Sequence, residues 1–403
     1  VNRDKARIIL LFAIQILFLG WLPKLLVEEV SWYQNNDFAH YYITGDLVRN
    51  GINPYPVDLS PLYLEYGFTP DRMISKATNP PSLAYLTSLL TYFRPEVAFY
   101  VWSGIQVAAL AFGIFLSIRV AGLVTKGVEN FFIILAGMVP LSFFSHIRFA
   151  QSQALIMFLI AGSLLLIKRG GDLRRNLGAL GMGFASGLKI FTLPIVIPIF
   201  TELGIVGVGW FCIGFAALWV PFLIGVGPKG VEDFVTIAMP YISSVAHNFT
   251  GNIGFVGSLV NSFRVMGELD GIRPFISLLN QISIIILGLA LIYVFSRAAK
   301  GWALEYSLTF TLGLCCLFSP VSWNHYLVLL LPGLILIFKE CSQRDFKSHY
   351  TLFFVLTYLI LGSTVGLLSA GDPITRIISA WSGFAGITFY LLLQNDIRAK
   401  SVS

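Results

Sequence analysis

Apolar segments long enough to cross a bilayer recur from one end of this 403-residue chain to the other. That repetition dictates the solvent before it dictates a fold. Runs at 8–27, 96–118, 129–145, 150–168, 203–224, 275–297, 302–319, 324–338, 350–369 and 374–393 each read as a membrane helix. Charged residues make up 12% of the chain against the usual quarter, hydrophobic residues make up 56%, and the mean hydropathy is +0.78. No soluble domain of this length could cover so much apolar surface. The expected class is an all-α polytopic membrane protein, built as one integral-membrane unit over 1–403.

Basic residues orient it. Arg3, Lys5 and Arg7 precede the first span and place the N-terminus in the cytoplasm; that span, Ile8–Val27, lacks a small-residue cleavage site and reads as a retained helix. Arg119/Lys126, Lys168/Arg169/Arg174/Arg175, Arg297/Lys300, Lys339/Arg344/Lys347 and Arg398/Lys400 belong on the same side. The net charge of +6 is thus a positive-inside bias, not a nucleic-acid footprint. Two segments need special treatment. Pro81–Phe93 is too short to cross, so it is expected to lie at the outer interface as a short helix opened by Pro80-Pro81. The region 176–201 must leave and return, so it reads as two short legs, 176–188 and 189–201, meeting at Lys189 inside a protein-lined cavity. The count comes to about twelve spans, both termini cytoplasmic, with a large first extracytoplasmic loop at 28–95 containing short interfacial helices and a second at 225–274. The four cysteines show neither CxxC nor Cys/His spacing, so no disulfide or metal framework is expected.

This threading sends nearly all the unusual polar residues to one face. Asp37 and His40 lie there, with His146, Arg148, Gln151 and Gln153, the Lys189 turn, Asn248 and Asn252, and the turn "SPVSWNH" that carries Trp323 and His325. Asp37 opens a helix on which His40 and Tyr41 share its face. Its carboxylate is either a reactive group or a helix N-terminal acid favoured by the dipole. Asp46, Asp58, Glu65 and Asp71 read as solvated loop acids, and "NGINPYP" (50–56) as a structural elbow. "ATNPPS" (77–82) reads as a similar elbow, with Asn79 either part of that turn or also facing the cavity. Lys189, flanked by apolar residues, either snorkels to the interface or serves as the counter-charge of an anionic head group. His325 is either an aromatic-belt neighbour of Trp323 or a donor to a phosphate oxygen. Arg148 and Arg264 run against the positive-inside trend and are further phosphate candidates.

One carboxylate among several cations suits sugar transfer from a polyprenyl phosphosugar. The phosphate is already a leaving group, cations stabilise the charge it develops, and only a base for the acceptor hydroxyl remains to be supplied. A single base with in-line attack predicts inversion. The motifs "DFAHYYITGDLVRNGINPY", "NPPSLAYLTSLL…FYVW", "AQSQALIMFLIAGSLLL", "GLKIFTLP", "GNIGFVGSLVNSFR" and "SPVSWNHYL", in this order, resemble the integral-membrane GT-C glycosyltransferases. More narrowly, they are similar to the polyprenol-phosphate-mannose-dependent alpha-(1,2)-mannosyltransferases, over about residues 30–340. The resemblance implies a GT-C-like fold, Asp37 as catalytic base, and Lys189 and His325 beside the donor phosphate. It also implies no metal, and no cofactor is expected; the expected location is the plasma membrane, and the acceptor is a glycolipid, a polysaccharide end or a protein hydroxyl. Ala150 stands where that family usually has glycine. The sugar is mannose by family weight, with arabinose or another sugar as the alternative. A transporter or flippase of lipid-linked sugars is the rival from another class, since broken helices and buried cations suit transport too.

Overall fold

In the computed structural model the described residues are 37–69, 74–123, 127–138, 146, 149–246, 252–343, 349–368 and 373–402. Among them every regular element is helical, and extended pairing is confined to one isolated bridge between Asn252 and Trp323. The first expected span, 8–27, lies outside the described residues.

The first loop folds into short helices, as its turn signals demand. Helix α1 (Phe38–Arg49) ends where Gly51 takes a φ of 70°, and α2 (Ser60–Glu65) follows with proline in its first turn. The elbow between them is anchored on both sides. Tyr55 is fully buried against Phe222 and Phe234 and donates to the Asn79 carbonyl at 2.9 Å, while Asn53 Nδ2 donates to Asp233 Oδ2 at 2.8 Å. Helix α3 (Pro81–Ser88), continued by a 3-10 turn over Leu89–Tyr92, is short as expected. It is not laid bare on an interface, however. Pro81, Ser82, Leu83, Ala84 and Thr87 are buried, and only its far end exposes Leu89, Tyr92 and Phe93. Gly45 of α1 explains the close packing: a Cβ there would stand 2.7 Å from the backbone carbon of Thr87. Asp46 departs from its expected solvated role. It is buried, ion-paired to Arg49 at 2.6 Å, and accepts from Tyr66 Oη and Asn50 Nδ2, so it braces the loop from within.

The membrane bundle comprises α4 (Pro95–Ala121), α5 (Gly127–Met138), α6 (Gln153–Lys168), α7 (Asp172–Leu188) and α8 (Val196–Val226). A cap of α9 (Pro228–Asp233), α10 (Met239–Ala246), α11 (Phe255–Val265) and α12 (Leu269–Ile272) interrupts it. It resumes with α13 (Ile276–Ala299), α14 (Leu304–Phe318), α15 (Leu331–Gln343), α16 (His349–Leu368) and α17 (Pro373–Val402). Four helical stretches among the described residues are long and apolar enough to cross a bilayer: Pro95–Ala121, Ile190–Val226, Leu269–Ala299 and Asn324–Gln343. The twelve-span expectation is thus met only in part. Several of its apolar runs form shorter helices, such as Gln153–Lys168 and Leu304–Phe318, and the runs 189–201 and 203–224 join across Gly204 in the single stretch Ile190–Val226.

The Lys189 region shows how. Helix α7 ends at Leu188, Lys189 is extended (φ −147°, ψ 101°), a 3-10 turn runs over Ile190–Ile195, and α8 then bends at Gly204. The two legs expected to meet at Lys189 do so, and the bend at Gly204 falls just inside the run expected at 203–224. Helices α7 and α8 cross at backbone contact. A Cβ on Gly183 would collide with the Phe211 carbonyl, and one on Gly214 with that of Leu180. The glycines before Lys189 are therefore consumed by helix packing.

Candidate active site

The turn before α6 is the first part of the site. Gln151 N donates to the His146 carbonyl at 3.0 Å, Trp102 Nε1 donates to the Ala150 carbonyl at 2.6 Å, and Ala150 adopts a left-handed φ of 48°. It is the one non-glycine residue with positive φ among the described residues. An L-residue there costs about 1 kcal/mol, which is the physical reason a relative would place glycine at this position. Ala150→Gly is expected to raise stability by about 0.5 kcal/mol, the gain being trimmed by the extra freedom of glycine in the unfolded chain. A thermal unfolding comparison in detergent checks it.

That turn aims Gln151 across the bundle at α1. Its Nε2 donates to Asp37 Oδ2 at 2.6 Å, and its Oε1 accepts from Tyr41 Oη at 2.7 Å. Asp37 occupies the N-cap position of α1 but makes no capping bond to that helix. Besides the helix dipole, this carboxylate therefore has a partner that is 114 residues away in sequence.

Lys189 approaches from the other side. It is half-buried at the C-terminal, electronegative end of α7, which favours an ammonium there. Ser82 Oγ and Trp219 Nε1 donate to the neighbouring Gly187 carbonyl and fix that helix end. The ammonium lies 5.9 Å from the Tyr326 ring centroid, and Tyr326 stacks on Phe191 with centroids 4.5 Å apart. Lys189 is within electrostatic range of the Asp37 carboxylate and of the rings of His40, His146 and His325. His325 is 5% exposed, sits 6.3 Å from the Phe149 ring, and its Nε2 makes no hydrogen bond among the described residues. The structure therefore brings Asp37, Gln151, Tyr41, Lys189 and His325 together.

Other expected site residues fall into different roles. His40 is 4% exposed with both ring nitrogens engaged. Thr78 N donates to Nε2 at 3.2 Å, so Nδ1 carries the proton toward Tyr63 Oη, also at 3.2 Å. Burial, and then the Lys189 charge, push its pKa down to about 4, so it is a neutral brace between α2 and the 74–80 strap. Asn252 is likewise a brace. It is fully buried, accepts from Ser322 N at 3.1 Å and Gly254 N at 3.3 Å, and donates to the Pro320 carbonyl at 3.0 Å. This clamp holds the turn that presents His325, with half-buried Trp323 as its bridge partner. Arg264 donates to Asn261 Oδ1 at 3.0 Å, and Asn261 in turn to the Asn252 carbonyl, so Arg264 supports the same clamp from α11. Asn79 keeps a buried Nδ2 without a hydrogen-bond partner among the described residues. Arg148 and Asn248 lie outside the described residues. Sequence reasoning passed over Tyr326, adjacent to His325, and gave no role to the buried His146 or Gln153.

The family model for glycosyltransferase family 87 matches residues 77–320, well over half of the chain. The chain belongs to glycosyltransferase family 87. Membership indicates the class: a membrane glycosyltransferase. The matched region holds Asn79, Gln151, Lys189, Asn252 and Arg264, while Asp37 precedes it and His325 follows it. No curated protein and no solved structure matches the chain.

Proposed function

We propose that this family 87 enzyme transfers a hexose, mannose by preference, from a polyprenyl-phosphate donor to a hydroxyl of a glycolipid or polysaccharide, inverting the anomeric centre. Asp37 takes the acceptor proton as its oxygen attacks C1. The C1–O bond to phosphate breaks, and the polyprenyl phosphate leaves with the electron pair, its charge met by Lys189 and His325. The observation that carries this reading is the pairing across the site: one carboxylate held by Gln151 and one ammonium within its field, beside an imidazole with an open nitrogen.

Polarity supports an extracytoplasmic site in a plasma-membrane enzyme with cytoplasmic termini. Helix α6 starts two residues after Gln151 and runs 16 residues to Lys168. At 1.5 Å per residue that is about 24 Å. At the far end Lys168 pairs with Glu305 at 2.6 Å and reaches the Val120 carbonyl at 3.2 Å, and Arg175 pairs with Glu202 at 3.4 Å. Lys168 and Arg175 thus lie at the opposite end of the bundle from Asp37, as the positive-inside rule asks.

The purified enzyme, offered polyprenyl-phosphate mannose, glucose and arabinose with a membrane glycolipid extract, is expected to transfer mannose fastest. Proton spectra of the product should show the anomer opposite to the donor's. Retention would remove the single-base mechanism, and transfer only from a nucleotide sugar would remove the lipid donor.

A further inference from the structure

We propose that Gln151, locked in one orientation by Tyr41, is a positioning residue that holds Asp37 ionised and aimed. This rests on the reading of Asp37 as the base. A glutamine amide can present either end to a neighbour, and a wrong choice would set oxygen against carboxylate. Here the choice is forced. Asp37 Oδ2 is an acceptor and takes Nε2–H at 2.6 Å, so Oε1 faces Tyr41, whose phenol donates at 2.7 Å. Tyr41 is 3% exposed and packs its ring edge-on against Trp102 at 6.3 Å. Burial, and then the Asp37 charge, raise its pKa well above the usual phenol value, so it stays a donor at every working pH.

Both ends of this chain of bonds are tied by Trp102. Trp102 ties its ring to Tyr41 and its Nε1 to the Ala150 carbonyl, so one side chain registers α1 against the turn that carries Gln151. Gln151 is itself 4% exposed, so its amide is enclosed by the protein around it. A base that abstracts a proton near neutral pH must already be ionised before the acceptor arrives. A donor to one carboxylate oxygen favours that form and fixes the plane of the group. Lys189 beyond the end of α7, Tyr63 on α2 and Tyr326 in the 324–330 turn also lie within the electrostatic range of Asp37. Lys189 acts there through space, whereas the Gln151 amide bonds the carboxylate and so fixes its plane.

The test is the pH profile of mannosyl transfer from polyprenyl-phosphate mannose by the purified full chain. In the wild type the acid limb reports Asp37 and the alkaline limb Lys189. Gln151→Leu removes the donor and is expected to move the acid limb up by about one pH unit. Gln151→Glu sets a second carboxylate against the first and should move it further in the same direction. Tyr41→Phe lets the amide turn and should give a smaller upward shift, from the loss of one oxygen that the fold tolerates well even if the Gln151 variants fold poorly. The alkaline limb should stay in place throughout. Acid limbs coincident with wild type, with only a uniform drop in rate, would reduce Gln151 to a packing residue and overturn the proposal. Asp37→Asn separates the two levels. Full transfer by that variant removes the base itself, whereas an inactive Asp37→Asn beside unshifted Gln151 variants removes only the positioning role.

Discussion

Asp37→Asn is expected to lower kcat about a thousandfold, within the range that a positioned general base supplies, while the donor KM moves only a few-fold. The substitution is close to isosteric. Asparagine Oδ1 can still accept from Gln151 Nε2, so the bond that spans 114 residues survives and the α1–α6 packing survives with it. What disappears is the capacity to accept a proton from an attacking hydroxyl. Stability should therefore stay within about 1 kcal/mol of wild type, as for substitutions that leave no buried polar group unmatched. Steady-state transfer with a synthetic donor and a parallel thermal scan check both halves. A variant that keeps more than about a tenth of wild-type kcat would place the base elsewhere. Asp46 offers no substitute, because it is already committed to Arg49, Tyr66 and Asn50.

The parts of this molecule that could be read in advance are those written in local chemistry. The span expected at 96–118 is Pro95–Ala121, begun by a proline at its first position and closed by Gly122 with a φ of 65°. The span expected at 275–297 is Ile276–Ala299. A polar hinge at Lys189 followed from a lysine set between two short apolar legs, and the bend at Gly204 fell just inside the run expected at 203–224. What could not be read is which polar groups spend their hydrogen bonds internally. Asn252, His40 and Asp46 look like site residues or solvated acids in a string of letters. Only the fold reveals the Ser322 backbone, Thr78 and Tyr66 as their partners. The number of spans suffered similarly, because runs such as 150–168 and 302–319 form helices of only 16 and 15 residues. Hydropathy averages over the turns that shorten them. The opposite case is Ala150, where one unexpected letter in a motif marked a backbone conformation that the structure then displayed.

Lys189→Met should separate function from structure through effects of opposite sign. A lysine half-enclosed among apolar residues is costly unless its charge is used, and the leaving phosphate is the one anion in the proposed reaction that needs it. Methionine preserves much of the length and removes only the charge. Transfer, measured as kcat/KM for polyprenyl-phosphate mannose, is expected to fall about a hundredfold or more, the usual loss when one preorganised charge partner of a transition state is deleted. Thermal stability should be unchanged or raised by about 1 kcal/mol, since the desolvation cost is relieved, although Asp37 loses an opposite charge from its surroundings. Lys189→Arg, which keeps the charge on a bulkier and planar head, should recover part of the activity. A lysine that merely snorkels would give the reverse pattern: Lys189→Met within about threefold of wild type in transfer, with no gain on arginine replacement. Because Lys189 and Asp37 lie in each other's field, the double variant should lose less than the product of the two single losses. A group that stabilises the departing phosphate contributes little once the base that drives the attack is gone.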